Sequence, residues 1–180
     1  MRLNLKYNYK YLINCIVIGE SNTGKTSLIK TLTDIDDFQE KSTTTIGIDF
    51  FSHMTTINNI IYKIHIWDTC GQELYRSLTK QYYRCTAIAF IVFSIDDKES
   101  FENIDYWYKQ ATQCNPDIVV ILVGNKLDTV QNNILHERKV TFEEARKWAI
   151  KHKTGYIETS AKKNKSSIVP TISYINFVCC

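Results

Sequence analysis

Long apolar runs are missing from this 180-residue chain. No stretch approaches the roughly 20 consecutive apolar residues that a membrane-spanning helix needs. A large charge of one sign is missing too. The net charge is only +3, so composition makes no case for a nucleic-acid partner. The six cysteines (Cys15, Cys70, Cys85, Cys114, Cys179 and Cys180) form no C-x-x-C pair, which argues against a zinc site. The opening "MRLNLKYNYKY" is too polar to read as a signal peptide. The thiols are therefore expected to be reduced, in a cytosolic compartment. Repeats, low-complexity segments and linkers are also lacking, so a single domain is expected. With 44% hydrophobic and 23% charged residues, the composition is that of a globular protein. A chain of this size buries about two-thirds of its surface.

What is there is an alternation of strand and helix signals. "LINCIVIG" (12–19), "AIAFIVFS" (87–94) and "IVVILVGN" (118–125) are apolar on both faces, as central parallel strands are. "IIYKIHIW" (60–67) alternates, with Ile60, Tyr62, Ile64 and Ile66 on one face and Lys63 and His65 between them. It follows "FFSHMTTI" across Asn58-Asn59, which predicts a hairpin and so one antiparallel pairing. Helices are predicted over 100–113, with Phe101, Ile104, Trp107 or Tyr108, and Ala111 on one face, and over 141–152, with Phe142, Ala145, Trp148 and Ala149. Thr141 and Glu144 make a capping box for the second. The order of elements predicts a doubly wound α/β fold with a mostly parallel six-stranded sheet and one antiparallel strand.

Four short motifs follow strands. "GESNTGKTS" fits G-x-x-x-x-G-K-[ST] between the first strand and a helix. Its glycines let the backbone curl so that N–H groups face phosphate oxygens, and the helix adds its positive end. Lys25 can reach the β- and γ-phosphates and the Thr26 hydroxyl can bind Mg²⁺. In "IWDTCGQE", Asp68 suits Mg²⁺ through water, Gly71 an approach to the γ-phosphate, and Gln72 the orientation of an attacking water. Taken alone, that segment is equally a polar turn. In "GNKLD", Asn125 ends a strand, and Asp128 offers two acceptors to the N1–H and N2 amino donors of guanine. Adenine would leave that carboxylate unpaired. In "ETSAK", Ser160, Ala161 and Lys162 can offer N–H groups to a base carbonyl. The last two motifs are weak singly. All four fall at the carboxyl ends of strands, where open α/β sheets bind ligands.

These residues resemble the Ras-superfamily small GTPases, from about Tyr9 to Ala161. "TIGIDF" (45–50), "KIHIWDTCGQE" (63–73), "YRSL" (75–78), "KQYYR" (80–84) and "FSIDDKESF" (93–101) are similar to Rab proteins in particular. The resemblance implies the P-loop G-domain fold, GTP or GDP with Mg²⁺ as ligands, and slow hydrolysis of GTP in a switch that regulates vesicle traffic. It implies that Ser21, Asn22, Thr23, Gly24, Lys25, Thr26 and Ser27 surround the phosphates, and that Thr45 joins Thr26 and Asp68 at the metal. Ser42, Thr43 and Thr44 would lie in the first switch. Phe38 and Lys126 would lie on either face of the guanine. Lys25, Gly71 and Gln72 would serve catalysis. Ile46, Phe50, Trp67 and Tyr82 would form an effector surface, with core packing as the other reading of the three aromatics. Exchange factor, activating protein, effectors, escort protein and dissociation inhibitor are the partners implied for a monomer. A low-turnover guanine-nucleotide-binding scaffold that occupies Rab partners is the rival reading, and a P-loop kinase or ATPase is opposed by "NKLD" and "ETSAK".

Some positions depart from the family pattern. Cys70 replaces Ala, Leu74 replaces Arg, and Cys85-Thr86 replaces Gly-Ala, where a left-handed Cys85 would carry strain of about 1 kcal/mol. The segment 129–137 reads as a longer loop than usual. The ending on Cys179-Cys180 fits a metal clip, a disulfide partner, a chance ending or a lipid anchor. The resemblance implies the anchor: a G domain over 1–178, geranylgeranyl groups on both cysteines, and a peripheral position on the cytosolic face of a membrane, with an unmodified ending inherited from a longer tail as the other reading. Two lipid chains suffice for stable anchoring, and the ending is not a C-a-a-X box. A helix capped by Ser167 and running from Ile168 to about Phe177, with Pro170 in its first turn and Ile168, Ile172 and Ile175 on one face, leaves a stub reaching about 10 Å.

Overall fold

The computed structural model describes residues 9–33, 48–69, 81–132 and 137–162. In chain order the strands are β1 (Tyr11–Ile18), β2 (Ile48–Ile57), β3 (Ile60–Thr69), β4 (Ile88–Ser94), β5 (Val119–Asn125) and β6 (Gly155–Glu158). The helices are α1 (Lys25–Leu32), α2 (Lys98–Glu102), α3 (Ile104–Cys114), α4 (Leu127–Asn132) and α5 (Phe142–Lys151). Every residue of β4 is buried, and so are the last six of β5. Such strands need cover on both faces, which crossover helices supply. β3 alternates instead, burying Tyr62, Ile64 and Ile66 while Lys63 and His65 are half-buried.

The six strands lie in the order β2-β3-β1-β4-β5-β6. Only the β2–β3 hairpin is antiparallel, turning through Asn58 and Asn59 at positive φ. The predicted sheet is the one observed. One face packs Leu28 and Ile29 of α1 against Ile13, Cys15, Val17, Ile64 and Ile66. The other packs Phe101, Ile104, Trp107, Ala111 and Ala145 of α2, α3 and α5 against Ile16, Ile91, Phe93 and Leu122. β1 is flanked by β3 on one side and β4 on the other. The order of connection reverses there, which opens a crevice at the carboxyl ends.

Several local expectations change or are resolved. The helix predicted over 100–113 is two helices meeting at Asn103, the first capped by the Asp97 carboxylate accepting from Glu99 N at 3.1 Å. Trp107, not Tyr108, takes the buried position. Phe142 is not buried: it is 47% exposed and packs its ring 5.3 Å from Tyr156, because the first residue of α5 overhangs the core. The segment 129–137 is not loop throughout, since α4 continues to Asn132. Cys85 is absent from the described residues with positive φ, so no left-handed strain arises there. The capping hydroxyl of Thr141 does accept from Glu144 N, at 3.2 Å.

Candidate functional site: a glycine turn tied to the loops after the last two strands

β1 delivers the chain into a tight turn before α1. Gly19 has φ 137° and Gly24 φ 87°, and Asn22 between them has φ 62°. A Cβ on Gly19 would stand 2.1 Å from the Val92 carbonyl oxygen, and one on Gly24 2.5 Å from Asn125 Nδ2. Both positions need glycine for backbone and for space. Lys25 is buried and folds back over the turn, donating to the carbonyls of Gly19 at 2.9 Å and Glu20 at 2.7 Å. Thr23 also donates to Glu20 O, at 3.0 Å. Ser21 and Asn22 are exposed, and Ser27 is half-buried in the first turn of α1. That turn has no acidic residue and no capping side chain. The positive end of the helix dipole lies at this turn, the polarity that an anion site requires.

Asp68 sits next to this turn because Val17 pairs with it in register across β1 and β3. Its Oδ2 accepts from Thr26 Oγ1 at 2.5 Å. Its Oδ1 is buried with no hydrogen-bond partner among the described residues. Burial raises the carboxyl to about 6, against the opposing pull of Thr26 and Lys25. A buried carboxylate oxygen left unpaired beside a hydroxyl suits a hydrated divalent cation, which would supply the missing charge and proton donors.

The two segments expected to read a base converge on the same edge. Asn125 is buried and ties them to the phosphate loop: its Nδ2 donates to Thr23 O at 2.9 Å, and its Oδ1 accepts from Thr159 Oγ1 at 3.1 Å. Leu127 N donates to Thr159 O, and Thr159 N to Gly124 O. Ser160 Oγ donates to Asp128 Oδ1 at 2.5 Å. Lys126 adopts φ 64°, and Lys162 is exposed. Thr31 of α1 donates to Ala161 O at 3.1 Å. Three motifs separated by up to some 140 positions thus share one hydrogen-bonded network.

A family model, Ras family, matches residues 14–171. The chain is 40% identical over 154 residues to GTP-binding protein ypt3 of Schizosaccharomyces pombe, covering 85% of this chain and 69% of that protein. It is 39% identical to human Ras-related protein Rab-4B, covering 85% and 70%, and 37% identical to Ras-related protein RABA1c of Arabidopsis thaliana, covering 85% and 68%. The chain belongs to the Ras family, as a Rab-type small GTPase. Its ligands are GTP or GDP and Mg²⁺, its reaction is hydrolysis of GTP, and its work is that of a switch in membrane traffic. Such GTPases act with exchange factors, activating proteins and effectors. Among the described residues no helix is long and apolar enough to cross a membrane.

In this Rab-type chain the aromatic residues expected at the effector surface form one strip. Phe50 lies 4.7 Å from Trp67, and Trp67 lies 4.9 Å from Tyr82, between ring centroids. Phe50 is 47% exposed, while Trp67 and Tyr82 pack in part against the core. Phe38, Ser42, Thr43, Thr44, Thr45, Ile46, Gly71, Gln72, Cys179, Cys180 and the helix predicted from Ile168 lie outside the described residues, as do the departures at Cys70 and Leu74.

Several residues around the site escaped the sequence reading. Trp107 Nε1 donates to Glu20 Oε1 at 3.0 Å, tying α3 to the phosphate loop. Arg138 grips Glu158 with two nitrogens, at 2.7 and 2.9 Å. Tyr156 OH donates to the same carboxylate at 2.7 Å. Burial alone would raise the Glu158 carboxyl, but hydrogen bonds from Arg138 and Tyr156 outweigh it and hold the group below its ordinary value. No spacing rule links positions 20 with 107 or 138 with 158. An arginine shortly before a capping box was the only local hint.

Proposed function

We propose that the sites of this GTPase are distributed as follows. The amides of Ser21–Ser27 and the Lys25 ammonium hold the phosphates. Thr26, Thr45 and, through water, Asp68 hold Mg²⁺, which when bound neutralises charge on the phosphate oxygens. Asp128 pairs with the guanine donors, Lys126 and Phe38 cover the two faces of the base, Asn125 braces the two loops, and Ser160, Ala161 and Lys162 face the base carbonyl. Gln72 orients the attacking water while Lys25 and the Gly71 amide stabilise charge on the transferred group. The γ-phosphate holds Thr45 and Gly71, and its loss releases both switches. Ile46, Phe50, Trp67 and Tyr82 present the two states to effectors. The observation that carries this reading is the meeting of Lys25 and Thr26 of one turn with Asp68, whose second carboxylate oxygen is buried without a partner among the described residues. Single-turnover hydrolysis tests it. Gln72→Leu is expected to slow turnover at least tenfold with GTP affinity within a few-fold, and an unchanged rate removes Gln72 from the mechanism.

The same proposal takes residues 1–178 as one G domain acting as a monomer, with no nucleic-acid partner. Cys179 and Cys180 carry prenyl groups that hold the domain on the cytosolic face of a membrane, delivered by escort protein and retrieved by dissociation inhibitor. Intact-mass analysis beside Cys179→Ser/Cys180→Ser decides this. Equal masses after allowance for the substitutions, in protein from a prenylating cell, remove the anchor.

A further inference from the structure

Arg138 lies outside every motif, yet it closes the network that presents the base-reading groups. Its guanidinium makes the paired, parallel contact with both oxygens of Glu158 that a planar fork favours. A third bond goes from Nη1 to Val140 O, at 3.1 Å. The pair is sheltered, with side-chain exposures of 29% and 13%. Its backbone is tethered as well, since Lys139 N and Val140 N both donate to Ile95 O. Ile95 N in turn donates to Asn125 O. Glu158 is the last residue of β6, and the next two side chains act at the site: Thr159 holds Asn125 and Ser160 holds Asp128.

We infer that Arg138 is a positioning residue for base recognition, fixing Glu158 so that Thr159 and Ser160 hold Asn125 and Asp128 in register with the guanine edge. The inference rests on the proposed reading of guanine by Asp128. Tyr156 cannot substitute, because its single hydroxyl grips only one oxygen of Glu158 and leaves the carboxylate free to swing about that bond. Without the fork, the turn after β6 keeps its backbone bonds but loses the brace on its first side chain. The hydrogen bonds among Thr159, Asn125, Ser160 and Asp128 then sample broader geometries, and the penalty falls on the most directional contact, the one that distinguishes guanine from hypoxanthine.

The test compares GTP with inosine triphosphate, which lacks the 2-amino group. Competition binding is measured on the full chain for the parent, Arg138→Ala and Arg138→Lys, with GDP dissociation rates and melting temperatures alongside. The parent is expected to prefer GTP. Arg138→Ala is expected to lose about tenfold of that preference, the worth of a charge-assisted contact, and to release GDP faster. Arg138→Lys, which keeps the charge without the fork, is expected to fall between the two. A purely structural arginine would lower the melting temperature and leave the GTP-to-inosine ratio intact, and that result overturns the inference. If the alanine variant does not fold, the ratio in the lysine variant decides. A parent without any preference overturns the guanine reading itself, and the inference with it.

Discussion

The two ends of the nucleotide crevice are built on opposite electrostatic plans. At the base end, Asn125, Thr159, Ser160, Asp128 and Glu158 all have hydrogen-bond partners within the protein. At the phosphate end, Asp68 has one buried oxygen unpaired and a carboxyl raised to about 6 by its burial. The base end is a rigid template, with its ordering cost met during folding. The phosphate end stores an unfavourable charge that a cation can relieve. One end therefore suits selecting a ligand, and the other suits responding to what is bound.

The harshest way to break this comparison is at the glycine turn of the phosphate end. Gly19→Ala would drive a Cβ to 2.1 Å from the Val92 carbonyl oxygen in a backbone conformation that L residues avoid. Loss of measurable nucleotide binding is expected, with destabilisation of roughly 3 kcal/mol or more. Denaturant titration together with a GDP-binding assay checks it. Retained binding would mean that the turn can relax without harm.

Asp128→Asn tests the template end by itself. The amide is expected to exchange a preference for GTP for one for xanthosine triphosphate, which offers an acceptor in place of the amino group. The swing should be about a hundredfold or more, because a mismatched buried polar group is left unpaired. Thermal stability should change little by comparison. An unchanged preference in competition titration would take base reading away from Asp128.

The smallest effect sharpens the responsive end. The folded-state carboxyl of Asp68, at about 6, lies above its ordinary value of 3.8. Ionising it opposes folding, so this cost is fully present above pH 6, declines as the pH falls through that value, and is gone below about 3.8. In metal-free, nucleotide-free protein, stability attributable to this group should therefore rise as the pH is lowered from 7 toward 4, by on the order of 3 kcal/mol at most. Asp68→Asn should remove that component and Mg²⁺ should mask it. Melting curves for parent and variant from pH 4.5 to 7.5, with and without metal, give the answer. Identical profiles would mean that Asp68 is solvated in solution.

Local chemistry in the sequence determined much of this protein. The buried apolar runs of β4 and β5, the alternation in β3, and the glycines of the phosphate turn each obey a rule that acts over a few residues. They announced the sheet, the hairpin and the motifs without any knowledge of tertiary contacts. The same local rules failed at Asn103 and Phe142. A break in a helix and an overhanging first residue depend on where the neighbouring layer ends, and periodicity does not carry that information.

Only the tertiary structure decided how the motifs are braced. Asn125 reaches Thr23 across 102 positions, Glu20 meets Trp107 across 87, and Arg138 closes on Glu158 across 20. A hydrogen bond needs two atoms within about 3 Å at a suitable angle. Pairs distant in sequence meet that condition only after the register of β1 with β3 and β4, and of β5 with β6, has been set. The sequence could therefore name candidate groups for the nucleotide, while the folded chain had to choose the residues that brace Asn125 and Asp128.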